Sequence, residues 1–206
     1  MSDLRFDPSK AVTFDLTHGL VHLEGAPSRL LVPADALLAL AKAAGGEPSA
    51  AFGAALGEAM GRRVASRLAA ANGVGAATIE GVVEHLAGEL ALAGLGSLGL
   101  ERWGRAMVLV VDQSPLGADG DALLEAALGG AIEAAAGRSV RSLLLGRDAV
   151  RARFLIGGKA GVDKVRGWLA EGASWGEALV RLHAGAAETK QSTESAAGAD
   201  AARGDA

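Results

Sequence analysis

The sequence predicts an α+β domain in which an antiparallel sheet packs against a helical layer, with a small β-meander at the N-terminus. Three observations carry this. Residues 12–16 alternate apolar and polar side chains, the period of a half-buried strand. A long segment over 49–71 carries apolar residues at steps of four beside a second stripe of glycines, which is helical spacing. The run Met107-Val108-Leu109-Val110-Val111 is continuously apolar, as a central strand covered on both faces must be. Strands and helices come in blocks and do not alternate one for one, which argues against a parallel βαβ fold.

The elements follow in order. Residues 1–10 are a polar lead-in. Val12, Phe14 and Leu16 alternate with Thr13 and Asp15, a turn forms at Thr17-His18-Gly19, and two further short strands are expected at 20–24 and 29–32. Pro33 ends this meander. A first helix is expected over 34–44, stopped by Gly45-Gly46. In the second helix Phe52, Leu56, Met60, Val64 and Leu68 form one stripe, and Gly53, Gly57 and Gly61 form another. Each helical glycine costs about 1 kcal/mol against alanine, so three in register imply a groove where another backbone packs closely. The same spacing marks a membrane GxxxG face in an apolar span, but Glu58, Arg62, Arg63 and Arg67 interrupt this helix and favour a soluble contact.

A third helix over 78–93 sets Ile79, Val82, Val83, Leu86 and Leu90 against Glu80, Glu84, His85 and Glu89. A glycine-punctuated strand over 94–100 pairs with a strand over 106–112. A fourth helix spans 121–136 and is capped by Gly137. Strands over 139–145 and 150–157 form a hairpin across Gly146-Arg147-Asp148-Ala149, and Arg151 and Arg153 give the second of them one wet face. Helices over 159–171 and 174–184 close the domain. Beyond Gly185 neither periodicity nor a large apolar residue remains, so 185–206 is expected to be a disordered tail, leaving a single domain over 11–184.

Composition narrows the function. Half of the 206 residues are apolar, but with four Phe, three Trp and no Tyr the core rests on Leu, Val, Ile and Ala. A net charge of −4 gives no basic footprint for nucleic acid. The absence of cysteine excludes disulfides, thiolate metal sites and a cysteine nucleophile. With no apolar signal core in MSDLRFDPSK and no long uncharged apolar run, a cytoplasmic protein is expected, and the Ala/Gly/Arg bias suggests a bacterial one.

Few side chains suggest chemistry. His18 and His22 lie on a hairpin, His85 on a polar helix face and His183 at a helix end; solvated histidines explain all four without a metal. Gly157-Gly158-Lys159 precedes a helix but lacks the P-loop pattern. Gly94-Leu95-Gly96-Ser97-Leu98-Gly99 follows a helix and enters a strand, the reverse of a dinucleotide-binding turn. Asp112, Asp119 and Asp121 cluster after a strand end, with Asp121 the expected N-cap of the fourth helix. No catalytic constellation, metal site or cofactor site is expected.

The glycine-striped helix, the amphipathic helix, the strand Gly94–Leu100 and the apolar strand ending Asp112-Gln113-Ser114-Pro115 stand in a particular order. The helix Leu124–Ile132 and the hairpin ending Arg153-Phe154 complete it. Over residues 10–157 this order resembles the 4-vinyl reductase domain, a relative of the TRAPP trafficking subunits and the haem-NO-binding domain. The resemblance implies that fold and a habit of dimerising and of binding partners or apolar ligands. Bacterial members carry a cysteine pair on the last hairpin; here Leu143 and Ala152 stand in those places, so no thiol, zinc or redox role carries over.

Together these readings point to a non-catalytic interaction, scaffold or regulatory module. It acts as a homodimer that also meets an unidentified protein partner, with Gly53, Gly57, Gly61, Trp168 and Trp175 as candidate interface residues. The alternative is a cytoplasmic sensor holding a small apolar ligand in a cavity between the sheet and the second to fourth helices.

Overall fold

The structure, a computed structural model, describes residues 11–23, 29–72, 78–104 and 106–184, with the backbone alone at 71 and 72. The predicted lead-in 1–10 and tail 185–206 lie outside the described residues. Strands β1 (Val12–Asp15) and β2 (Leu20–Leu23) pair antiparallel around the Asp15 carboxylate, which accepts the Thr17 and His18 backbone amides at 3.0 and 3.1 Å. The meander has two strands where the sequence predicts three. Arg29 makes one bridge to Val21, and the chain then leaves the sheet, so Leu30, Leu31 and Val32 stand exposed.

Helix α1 (Ala34–Ala44) follows, then α2 (Gly46–Asn72) and α3 (Ile79–Leu92). Thr78 caps α3 by accepting the Gly81 amide on its side-chain oxygen at 3.2 Å. Strands β3 (Ser97–Trp103) and β4 (Ala106–Asp112) form the predicted hairpin, with Leu98 opposite Val111. After a short 3₁₀ turn, α4 (Asp121–Ala136) ends on Gly137 in the left-handed conformation. Strands β5 (Arg141–Arg147) and β6 (Arg151–Gly157) complete a four-stranded antiparallel sheet in the order β3-β4-β6-β5. Helix α5 (Lys159–Ala170) and α6 (175–184) close the described chain. The fold class is α+β, as the sequence predicts.

The sheet is covered on both faces, which explains the unbroken apolar run in β4. Leu109 and Val111 face α2, α3 and α4, with Ala152, Phe154 and Ile156 of β6 beside them. Ala106, Val108 and Val110 face the opposite way, toward Val162, Val165, Ala178 and Leu179 of α5 and α6. Burying each large aliphatic contributes about 1.5–3 kcal/mol, and β4 contributes to both layers at once. The space between the sheet and α2–α4 is filled by Met60, Leu86, Leu90, Leu109, Leu124, Leu128 and Phe154, all fully buried.

The arginine face of β6 is drier than its alternation predicts. Arg153 lies beneath Trp175 of α6, its guanidinium carbon 5.6 Å from the ring centroid. It is flanked by Glu101 and Asp148, each at 3.5 Å. Asp121 does not cap α4, because Gly120 occupies the N-cap position. Its carboxylate instead accepts Arg147 at 2.5–2.9 Å, tying the start of α4 to the end of β5.

Candidate functional site

The glycine stripe is the first candidate, and its groove is occupied within the chain. Gly53, Gly57 and Gly61 are buried beneath α4. A Cβ on Gly53 would stand 2.5 Å from the Leu123 carbonyl oxygen, one on Gly57 2.7 Å from the Ala127 carbonyl carbon, and one on Gly61 2.8 Å from the Ala134 Cβ. Gly130 returns the contact from α4, where a Cβ would meet the Ala54 oxygen at 2.6 Å. The close backbone approach read from the sequence is therefore present, but its partner is α4 of the same chain. These three glycines have no surface left to offer a second copy, which corrects the interface reading for them.

Trp168 and Trp175 are partly buried against the apolar face that β4, β5 and β6 present to α5 and α6. Trp175 also meets Trp103 of edge strand β3 edge-on, centroids 4.9 Å apart at 86°. They cover the second core. His183 on α6 hydrogen-bonds the Trp103 carbonyl, which fastens the last described helix to the same strand end.

The positions that resemble a cysteine pair are separated by the sheet itself. Leu143 of β5 faces the α5–α6 side, Ala152 of β6 faces the α2–α4 side, and Leu143 stands opposite Leu155. Side chains at 143 and 152 thus cannot meet. Among the described residues no group of three or more His, Asp or Glu is placed to hold a metal ion. His18 pairs with Asp15 at 2.8 Å, Asp112 with Arg151 at 2.8 Å, and Lys159 with Asp163 at 2.5 Å. The Gly158-Lys159 helix start has thus spent its lysine on a neighbour one turn away.

Open clefts are also present among the described residues. The first, about 520 Å³, lies between α3 and the outer edge of the sheet. Val83 and Ala87 form one wall, Leu98, Gly99 and Leu100 of β3 the other, with Glu80, Glu84 and Arg102 at the rim. Arg102 is ion-paired to Glu80 across the mouth; the Glu80 backbone amide first, and then Arg102, hold that carboxyl below its ordinary range. Leu98 and Leu100 lean on the core under α2–α4, so the floor of this cleft is that core's margin. A second cleft, about 460 Å³, lies between Leu38 and Lys42 of α1, Ser49 of α2, and Asp119, Gly120, Ala122 and Leu123.

A charged cluster that sequence reasoning missed joins α2, α3 and the end of the meander. Glu89 has a fully buried side chain. Both its oxygens are taken, Oε2 by Nε and Nη2 of Arg63 (2.8 Å from Nε) and Oε1 by Nη2 of Arg67. Arg29 lies near: burial first, then the Arg63 cation, hold its guanidinium below its ordinary value, and Glu89 opposes them. His85, one turn before Glu89, is lowered by burial and by Arg67 against Glu84 and Glu89. In the sequence Glu89 looked like part of a polar face. The detectable signal was two arginines, Arg63 and Arg67, one turn apart on the side of α2 that follows the apolar stripe.

No family model matches the chain, and no curated protein matches it. A solved structure does: the crystal structure of the phenol-responsive sensory domain of the transcription activator PoxR with phenol. The TM-score is 0.56 at 15% identity, over 88% of this chain and 98% of that one. No described helix is long and apolar enough to cross a membrane. This chain is thus similar in fold to a sensory domain along almost that domain's whole length.

Proposed function

We propose that the chain is a non-catalytic regulatory domain that senses a small, mainly apolar ligand in the cleft between α3 and β3. The observation that carries this reading is the cleft itself. Its walls are apolar, its rim holds a few charged groups, and its volume falls within the range of small-molecule sites. The likeness to a phenol-responsive sensory domain supports the choice of ligand class, and the kinship with 4-vinyl reductase domains belongs to the same proposal. A cleft wall formed by an edge strand and an amphipathic helix suits a sensor, because a ligand there contacts two elements whose spacing it can alter. Calorimetric titration with phenol tests this. Binding is expected with a Kd of roughly 0.1–1 mM, ordinary for a ligand of so few atoms. Ala87→Trp, which fills the cleft from its helical wall, should abolish the heat without lowering the melting temperature. Equal binding by wild type and A87W would refute the site.

A second reading, self-association, is favoured by one surface. Phe14, Leu16 and Leu20 on the β1–β2 hairpin and Leu30, Leu31 and Val32 after it are all exposed. So dense a set of large apolar side chains on one short segment is unusual for a monomer. We place the homodimer contact there, away from the glycine stripe.

A further inference from the structure

The charges that face the α3–β3 cleft do not cancel. Glu80, Glu84 and Arg102 are the charged residues that line it. Glu80 and Glu84 stand one turn apart on α3, and so do Val83 and Ala87, so the helix turns its two acidic residues and its apolar wall to the same space. Arg102 is ion-paired to Glu80, which leaves that cation committed. Glu84 is exposed and, among the described residues, its carboxylate has no ion-pair or hydrogen-bond partner. The rim therefore carries one uncompensated negative charge beside walls formed by Val83, Ala87, Leu98 and Leu100.

We infer that the cleft prefers a ligand with a small apolar body and a cationic head, a primary amine, and that Glu84 is the residue that sets this specificity. The inference rests on the sensor reading of the same cleft and names its ligand class. The apolar body lies between Val83 and Ala87 on one side and Leu98 and Leu100 on the other, with the ammonium left at the mouth beside Glu84. A neutral ligand of the same shape gains the wall contacts alone. A carboxylate on that body meets Glu84 as a like charge, and the guanidinium it would need is held by Glu80. Rejection of the wrong charge contributes to such a preference as much as attraction of the right one. Because the rim is open to water, the preference is modest and screened by salt.

Amide NMR titrations of the full chain at low ionic strength and neutral pH with benzyl alcohol, benzylamine and benzoate test the inference, since the three share one ring and differ in charge. Benzylamine should bind about three- to fivefold more tightly than benzyl alcohol, as an exposed ion pair allows, and benzoate more weakly than either. Physiological salt should shrink the advantage of the amine. In Glu84→Gln, whose side chain is exposed, benzylamine and benzyl alcohol should bind alike. If benzyl alcohol binds at α3 and β3 but benzylamine binds no better, the charge preference fails and the cleft reading survives. An amine advantage that persists in E84Q overturns the role of Glu84, and benzoate binding as tightly as benzylamine would show Arg102 free to receive an anion and overturn the preference itself. If none of the three binds, the cleft reading fails and the inference falls with it.

Discussion

Gly57 of α2 lies directly under the backbone of Ala127 in α4, so close that a Cβ would stand 2.7 Å from the Ala127 carbonyl carbon. The two helices meet backbone to backbone, and the contact continues to Gly53 and Gly61 on one side and Gly130 on the other. Removing the side chains forfeits helix propensity at each site but lets the two backbones gain dispersion contacts over the stretch from Gly53 to Gly61.

Adding one carbon to that contact should therefore be costly. Gly57→Ala is expected to destabilise the domain by about 2–3 kcal/mol through overpacking, although alanine is the better helix former. Gly167→Ala on exposed α5, where nothing lies within 4 Å of the new Cβ, should instead stabilise by about 0.5–1 kcal/mol. Urea unfolding of both variants checks the pair. Equal effects of the two would mean that α2 and α4 are not in backbone contact.

The Glu89 cluster predicts an asymmetric mutational response. Glu89→Gln keeps the shape but replaces the buried carboxylate that Arg63 and Arg67 share with a neutral amide, and should cost about 3 kcal/mol. Arg62→Gln breaks only an exposed i,i+4 pair with Glu58 and should cost less than about 0.5 kcal/mol. Denaturant midpoints of the two variants, at matched m-values, decide it.

His85 predicts a pH dependence. Its folded-state pKa lies below the ordinary 6.5, so the unfolded chain binds the proton more readily. The stability this contributes is complete above pH 6.5 and is lost as pH falls through the folded value. Melting temperature should fall between pH 7.5 and 5.5, and His85→Gln should flatten that fall. An unchanged slope in H85Q would assign the dependence to other groups.

Self-association through the N-terminal hairpin predicts a change of mass. The wild type is expected to sediment as the proposed dimer, and Leu16→Glu combined with Leu30→Glu as a monomer with an unchanged circular dichroism spectrum. Gly57→Ala should sediment as the wild type does, because the glycine groove is filled from within the chain.

Much of this fold was legible in the sequence because its periodicities are strong. The β4 run marked a strand covered on both faces, and Gly137 marked the end of α4 to the residue. The glycine stripe revealed a close backbone approach but not which backbone supplied it. Local spacing constrains one helix, and the partner Ala127 lies 70 positions further on. The missing third strand of the meander had the same cause: Leu30, Leu31 and Val32 are good strand formers, yet pairing depends on a neighbouring edge that local sequence does not encode. The Arg29–Arg63–Arg67–Glu89 cluster assembles three separate segments, and none of them alone shows that the carboxylate is buried.

The proposed sensing cleft is tested most directly by a two-dimensional amide NMR titration of the protein with phenol. The account predicts saturable shifts concentrated on Glu80 to Ala87 of α3 and Leu98 to Arg102 of β3. Saturable shifts that spare both segments, or no saturable shifts at all, would contradict it.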